Sequence, residues 1–519
     1  MSSRTYYVTT PIYYVNDVPH IGHAYTSLAC DVLARFKRLD GYDVHFLTGT
    51  DEHGQKVEKA AAAAGLSPQQ FTDKVSQSFR DLVGKMNYTP DNFIRTTEPR
   101  HYASCQALWE KLVAAGDIYL GSYAGWYSVR DETYFVEGET EVGTDGTRRA
   151  TATGAEVEWV EEPSYFFKLS AWTDRLLELY EKNPRFIGPD SRRNEILSFV
   201  RGGLQDLSVS RTSFSWGVPV PGDPKHIMYV WLDALTNYIT ECGYPDTAGP
   251  LWKYWPADLH MVGKDIIRFH CVFWPAFLMA AGLAPPQRVF AHGWWTNEGQ
   301  KISKSLGNVI DPVDLVDAYG LDAVRYFLLR EVPFGNDGDF QKRALVGRLN
   351  GDLANAYGNL CQRVLSIVAK SCGEKVSPKG ALTDADNALL DRAKGLLPIV
   401  RAELDDQSFH RALTSIWEVI ADANRYVDAQ APWVLAKTDT VRRDTVMWVL
   451  AETIRRITLL VQPFMPESTA RILDQLGVPA DARAFTAFDD ELKPGTSLPK
   501  PQGVFPRYVE PPLTTKGAA

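Results

Sequence analysis

Hydrophobic positions alternate between two periods along this chain. Thr5 to Ile12 is β-rich, runs into Pro11 and reads as a first strand. Behind it, Ile21, Leu28, Val32 and Phe36 recur at helical spacing, which predicts a helix over 20–39 that Gly41 ends. Val44-His45-Phe46-Leu47-Thr48-Gly49-Thr50 reads as a second strand, and Glu58 to Ala64 as a helix stopped by Gly65, with Pro68 beyond. Strand, helix, strand, helix is the opening of a parallel α/β sheet.

Near Ile118 the pattern changes. Tyr119 to Trp159 mixes Gly, Thr and Tyr with alternating polar residues, as short antiparallel strands do, and Asp145-Gly146 marks a hairpin turn. Ser164 to Ser198 returns to helical spacing. Residues 115–225 therefore read as an inserted α+β domain between two halves of a Rossmann-type sheet, 1–114 and 226–292. Met228 to Leu232 and Leu259 to Gly263 resume that sheet, and Val289 to Gly293 adds a strand. A segment over 293–344 leads into a helical domain, 345–495. There Phe409, Leu413, Ile416, Ile420, Ala423 and Val427 form an apolar stripe, and Val446 to Val461 forms another. Both predict bundle core. The tail, 496–519, is rich in Pro, Gly and Thr and reads as a wrapping segment.

Composition narrows the picture only a little. The 519 residues are 45% hydrophobic, enough for a large core and about three domains. No apolar run reaches the roughly 20 residues of a membrane span, and the N-terminus lacks a signal-like apolar stretch, so a cytoplasmic protein is expected. A net charge of -9 excludes a uniformly basic nucleic-acid binder but not a local basic face. The six cysteines form no Cys-x-x-Cys pair, so reduced thiols and no metal site are expected.

Two separated segments carry the chemistry. Pro19-His20-Ile21-Gly22-His23 places two imidazoles one turn apart at the start of a helix that leaves the carboxyl edge of the first strand. The positive end of that helix suits phosphate, and Gly22 would allow a nucleoside to approach the backbone. Lys301-Ile302-Ser303-Lys304-Ser305 lies between glycines, as a closing loop would, with two ammonium groups and two hydroxyls for phosphate oxygens. Either segment alone would also suit a solvated surface turn. Together, in this order, they point to an enzyme that activates an acid with ATP.

In this order the segments resemble the His-x-Gly-His and Lys-Met-Ser-Lys-Ser signatures of the class I aminoacyl-tRNA synthetases, with Ile302 in place of Met. The resemblance narrows to the methionyl branch through Thr10-Pro11-Ile12-Tyr13-Tyr14-Val15-Asn16, Gly49-Thr50-Asp51-Glu52-His53-Gly54, Leu207-Ser208-Val209-Ser210-Arg211, Val230-Trp231-Leu232-Asp233-Ala234 and Gly263-Lys264-Asp265-Ile266. It implies an ATP- and Mg²⁺-dependent ligase that charges tRNA(Met), initiator and elongator, with L-methionine. By resemblance, Ile12, Tyr14, Trp231, Ala234, Leu235, Tyr238, Ile266, His270 and Trp274 should line the methionine pocket, with Tyr14 and His270 as weak donors near sulfur and Asp51 on the ammonium. His20, Gly22, His23, Gly263, Asp265, Lys301, Ser303 and Lys304 should hold ATP, with His20, His23, Lys301 and Lys304 catalytic. Asn359, Arg363 and Trp433 should read the anticodon, while 293–344 contacts the tRNA stem. Where relatives carry zinc-binding cysteine pairs in the inserted domain, this chain has Ser128 and Asp131, so no structural zinc is expected. A monomer is expected too.

Overall fold

The computed structural model describes residues 4–15, 18–131, 133–302 and 306–510. In chain order it begins with strands β1 (Thr5–Thr9) and β2 (Tyr13–Tyr14), helix α1 (Ile21–Leu39), and strands β3 (Asp43–Asp51) and β4 (Asn92–Arg95). Helix α2 (Pro99–Ala114), strand β5 (Ile187–Gly188), helix α3 (Val230–Glu241) and strands β6 (Leu259–Gly263) and β7 (Val289–His292) follow. The chain divides into two compact units. One is built from 5–19 and 44–292, the other from residue 4, 20–43 and 293–510.

The first unit is organised around the seven-stranded sheet, in the order β5–β7–β6–β1–β3–β2, with β4 also paired to β3. The pairings of β6 with β1, β7 with β6, β2 with β3 and β4 with β3 are all parallel. Successive strands run outward from β1 on one side and from β6 on the other. The order therefore reverses between β1 and β6, the point where such sheets leave a crevice beyond their carboxyl ends. Tyr7, Leu47, Ile94, Leu235, Val262, Trp274 and Val289 belong to one continuous buried core. In the segment expected to form short antiparallel strands, the chain builds a long antiparallel ribbon, Ile118–Ser128 against Glu158–Phe167, whose second strand takes up the first residues of the stretch 164–198 expected to be helical. The inserted domain also returns β5 to the edge of the main sheet beside β7.

One expected strand is absent. Met228 to Leu232 does not resume the parallel sheet. Met228 ends a strand, Asp223–Met228, that pairs antiparallel with Ser210–Arg211, and α3 begins two residues later. Helix α3 is buried on nearly every side, from Leu232 to Glu241 without a break. A helix with no solvent face shows no amphipathic period, and a short apolar run then reads equally well as a strand.

In the second unit, helices α4 (Leu321–Arg330), α5 (Phe409–Gln430) and α6 (Thr440–Val461) are joined by α1. The predicted stripe on α5 is buried, from Phe409 to Val427. Helix α6 goes further: every residue from Thr445 to Val461 is buried. The charges inside it are paired, Glu452 accepting from Arg455 at 2.6 Å and from Arg456 at 2.8 Å. Helix α1 is fastened to this unit along its length. Asp31 and Arg325 of α4 pair at 2.7 Å with neither side chain exposed, Lys37 meets Asp405 at 2.6 Å, and Arg401 meets Asp40 at 2.5 Å. Breaking a fully buried pair such as Asp31–Arg325 costs about 3–5 kcal/mol, because one charge is left in the interior.

Candidate active site

In the second unit, the start of α1 is a cap made of two imidazoles. His20 is the N-cap residue, with extended backbone at φ -134°. Its Nδ1 accepts from the Gly22 amide at 3.0 Å, while the His20 amide donates to Nδ1 of His23 at 3.1 Å. Both Nδ1 atoms accept, so the neutral rings carry their N–H on Nε2. Burial, with His20 beside it, holds the His23 imidazole well below its usual range, so the ring is neutral at physiological pH. The rings lie 3.9 Å apart. The first turn of α1 contains no acidic residue, which leaves the positive end of the helix dipole uncompensated for an anion. Gly22 also fits within the cap itself. A Cβ there would lie 2.9 Å from His20 Cε1, because the ring of His20 itself folds over this position.

The lysine segment belongs to the same unit. Trp295–Asn297 and Gln300–Lys301 form a hairpin with Asn297 opposite Gln300. Its two turn residues, Glu298 and Gly299, both have positive φ, 49° and 78°, as tight hairpin turns require. Asp339 secures this turn through Thr296 at 2.6 Å and the Gly299 amide at 2.8 Å. Lys301 is exposed, and its carbonyl accepts from Asn308 at 3.0 Å. Beyond the loop, the Ile310 carbonyl accepts from the Ile21 amide at 3.1 Å, which ties the far end of the segment to the first turn of α1. Ser303, Lys304 and Ser305 lie outside the described residues.

In the first unit, Asp51 is the last residue of β3, nearly buried, and directly opposite Tyr14 of β2. Gly263 ends β6 and Asp265 stands in the short turn that follows. A Cβ on Gly263 would lie 2.5 Å from Asp265 Oδ1, so glycine is what lets that carboxylate fold back over the strand end. Trp231, Ala234, Leu235 and Tyr238 come from α3. Ile266, His270 and Trp274 come from the stretch after β6, where Phe269–Phe273 adopts a π-helical turn, a local widening often found at functional sites. Ile12, Trp231 and Ile266 are partly buried against the core that contains Leu235, Tyr238 and Trp274.

Hydrogen bonds fix the proton on His270. Its Nδ1 donates to the Ile266 carbonyl at 3.0 Å, so Nε2 must accept from the Tyr238 hydroxyl at 2.7 Å. Burial pushes His270 down to about 4, which keeps it neutral. His270 in this arrangement therefore has no N–H left for a thioether, contrary to the expectation that it donates toward sulfur. Trp274 is fully buried and its indole N–H has no partner among the described residues. Pattern reading missed several neighbours. Phe269 stacks on Trp231 at 3.7 Å, His260 stacks on Tyr238 at 4.0 Å, and Trp255 packs edge-on against Trp274 at 6.1 Å. The result is an aromatic wall in the same unit as the Asp51 carboxylate, a set of groups suited to a small ammonium compound with a soft apolar side chain.

Further along the second unit, Asn359 is exposed at the start of a helix, Asn359–Ser371, that also carries Arg363. The Arg363 guanidinium lies 5.7 Å from the Trp433 ring centre and pairs with Asp428 at 2.7 Å. Ala431 adopts left-handed backbone at φ 43°, so α5 stops and a new helix starts at Pro432, leaving Trp433 47% exposed. An exposed indole beside a guanidinium is a surface on which unpaired bases stack.

Residues 6–365 match the family of class I tRNA synthetases (M), and residues 376–511 match the anticodon binding domain of methionyl tRNA ligase. The fold and its signature segments are thus those of a class I aminoacyl-tRNA synthetase. Methionine–tRNA ligase of Mesorhizobium japonicum is 59% identical over 99% of both chains, and that of Brucella suis is 58% identical over 98% of this chain and 99% of its own. The solved structure of Mycobacterium tuberculosis methionyl-tRNA synthetase in complex with methionyl-adenylate superposes with a TM-score of 0.95 at 56% identity, covering 97% of this chain and 100% of that one. The chain belongs to the methionyl-tRNA synthetase family.

Proposed function

We infer that this enzyme activates L-methionine with ATP and transfers it to the 3′ adenosine of tRNA(Met), acting as methionine–tRNA ligase. The observation that carries this reading is relationship over the whole length, 59% identity to a methionine–tRNA ligase across 99% of the chain. A relative of 56% identity bound to methionyl-adenylate supports the chemistry. A methionine carboxylate oxygen attacks the α-phosphorus, the bond to pyrophosphate breaks, and methionyl-adenylate forms. The tRNA hydroxyl then attacks the acyl carbon and AMP leaves. Exchange of pyrophosphate into ATP, run with each of the twenty amino acids, tests the specificity; another amino acid outperforming methionine would refute it.

The individual roles are proposals. Asp51 holds the ammonium by a charge-assisted hydrogen bond. Ile12, Tyr14, Trp231, Ala234, Leu235, Tyr238, Ile266, His270 and Trp274 surround the side chain, with His270 orienting the Tyr238 hydroxyl. His20 and His23 stabilise charge on the phosphates through their Nε2–H groups, Gly22 accommodates their cap, and Gly263 and Asp265 receive the ribose. Lys301, Ser303 and Lys304 neutralise the departing pyrophosphate. Mg²⁺ arrives with ATP as part of the substrate.

Asn359, Arg363 and Trp433 read the anticodon of initiator and elongator tRNA alike. Removing one stacked base contact costs about 1–3 kcal/mol. Trp433→Ala should therefore raise KM for tRNA by roughly 5- to 150-fold in charging while exchange stays within twofold; equal loss of both activities refutes this assignment. We further propose a cytoplasmic monomer without structural zinc. At the tip of the inserted domain, Ser128 Oγ accepts from the Asp131 amide at 3.1 Å, and Asp131 accepts from Thr153 at 2.5 Å and Arg130 at 3.0 Å. That oxygen-only, internally bonded set suits hydrogen bonding better than zinc. About one zinc per chain after EDTA washing, or a stable dimer on sedimentation, would overturn these points.

A further inference from the structure

Asp233 lies in the first turn of α3, two residues from Trp231 and next to Ala234, and its side chain is 1% exposed. One carboxylate oxygen binds His53 Nδ1 at 2.7 Å, the other binds His101 Nε2 at 2.8 Å. His53 stands two residues beyond Asp51. Its neighbour Glu52 is locked by a two-pronged contact from Arg95 at 2.6 and 2.8 Å, and its own Nε2 meets the Tyr102 hydroxyl of α2 at 2.9 Å. His101, also on α2, bridges two turns of α3: Nε2 takes Asp233, and Nδ1 takes Thr240 Oγ1 at 3.1 Å. The end of β3 and the whole of α3 are thus keyed to each other through one buried carboxylate.

Packing alone would not need this. A buried carboxylate is expensive to desolvate, and apolar residues of the same volume would hold the two elements together at least as well. What directional bonds add is register. Burial and the Asp233 carboxylate push the Cys105 thiol up, and Cys105 Sγ sits 3.3 Å from His101 Nε2, so His101, Cys105 and Asp233 are spent on one another as a neutral-thiol hydrogen-bonded cluster.

We propose that Asp233, held by His53 and His101, is a positioning residue that sets the span between the ammonium end and the side-chain end of the methionine site, and thereby the side-chain length that the enzyme accepts. Asp51 fixes one end of that span and Trp231, Ala234, Leu235 and Tyr238 fix the other. This rests on the placement of methionine proposed above. One methylene in an apolar pocket is worth only about 10- to 200-fold in selectivity, so a small slip of α3 is enough to erode it.

The test is pyrophosphate exchange by Asp233→Asn with methionine, ethionine and homocysteine, with active sites counted from the adenylate burst. The amide leaves one histidine facing an N–H instead of an acceptor. KM for methionine should rise roughly tenfold to hundredfold, with kcat per counted site within about threefold and KM for ATP unmoved. Preference for methionine over ethionine should narrow by about tenfold. A smaller burst with unchanged selectivity would mean support of the fold alone and overturns the proposal, as does an unmoved KM. Should the variant not fold, Tyr102→Phe, which loosens only His53, must narrow the same ratio by a lesser factor; an unchanged ratio overturns the proposal there too. A normal methionine KM in Asp51→Asn would instead sink the placement of methionine itself.

Discussion

His23→Ala loses about 10²–10³-fold in methionine-dependent pyrophosphate exchange per folded active site, while methionine binding stays within twofold. That magnitude is the usual consequence of deleting one preorganised donor to a developing oxyanion. It is expected because His23 does two things. Its Nδ1 accepts the His20 amide at 3.1 Å, which fixes the first turn of α1, and this same bond forces its N–H onto Nε2. Since the ring is held well below its usual protonation range, it is a neutral donor over the working pH range. Loss of the cap also costs about 0.5–2 kcal/mol of stability, which active-site counting separates from the kinetic loss. Exchange above a tenth of the parent rate would refute the assignment.

Asp51→Asn raises KM for methionine roughly 30- to 5000-fold, with KM for ATP changed far less. The carboxylate stands nearly buried at the last position of β3, beside Tyr14 in register. An amide keeps the shape and one acceptor but cannot neutralise an ammonium taken out of water, and removing one partner of a desolvated charge pair costs about 2–5 kcal/mol. Steady-state exchange at saturating ATP reads the effect directly. A KM within threefold of the parent would mean that another group binds the ammonium.

Strands β1 and β3 were legible from β-rich residue types and α1 from its apolar spacing, although all three are largely buried. The stripe on α5 was legible because the opposite side of that helix carries exposed polar residues. Helix α3 was misread, since burial from Leu232 to Glu241 removes the contrast on which periodicity depends. The all-round burial of α6 was likewise hidden, because Glu452, Arg455 and Arg456 look like a solvated face until their mutual pairing is seen. At the site, residue types pointed to phosphate, and the family resemblance implied an aromatic pocket. What they could not convey was direction: which nitrogen of His20, His23 or His270 carries its proton follows from neighbouring backbone groups. The keying of Asp233 to His53 and His101 joins positions 180 and 132 residues apart, beyond any local pattern.

Helix α1 gives the second unit an unexpected mechanical property. Its 19 residues span about 28 Å, with the histidine cap at one end and Lys37 and Asp40 clasped by Asp405 and Arg401 at the other. A helix so fastened behaves as a stiff strut. The histidine cap stands at one end of a helix that Arg325 holds midway and that Arg401 and Asp405 hold at the far end, so residues beyond 320 support the element that carries the cap. Trimming the chain at residue 344 would strip the cover from Lys37, Asp40 and Phe36, which rests on Phe485 at 4.8 Å.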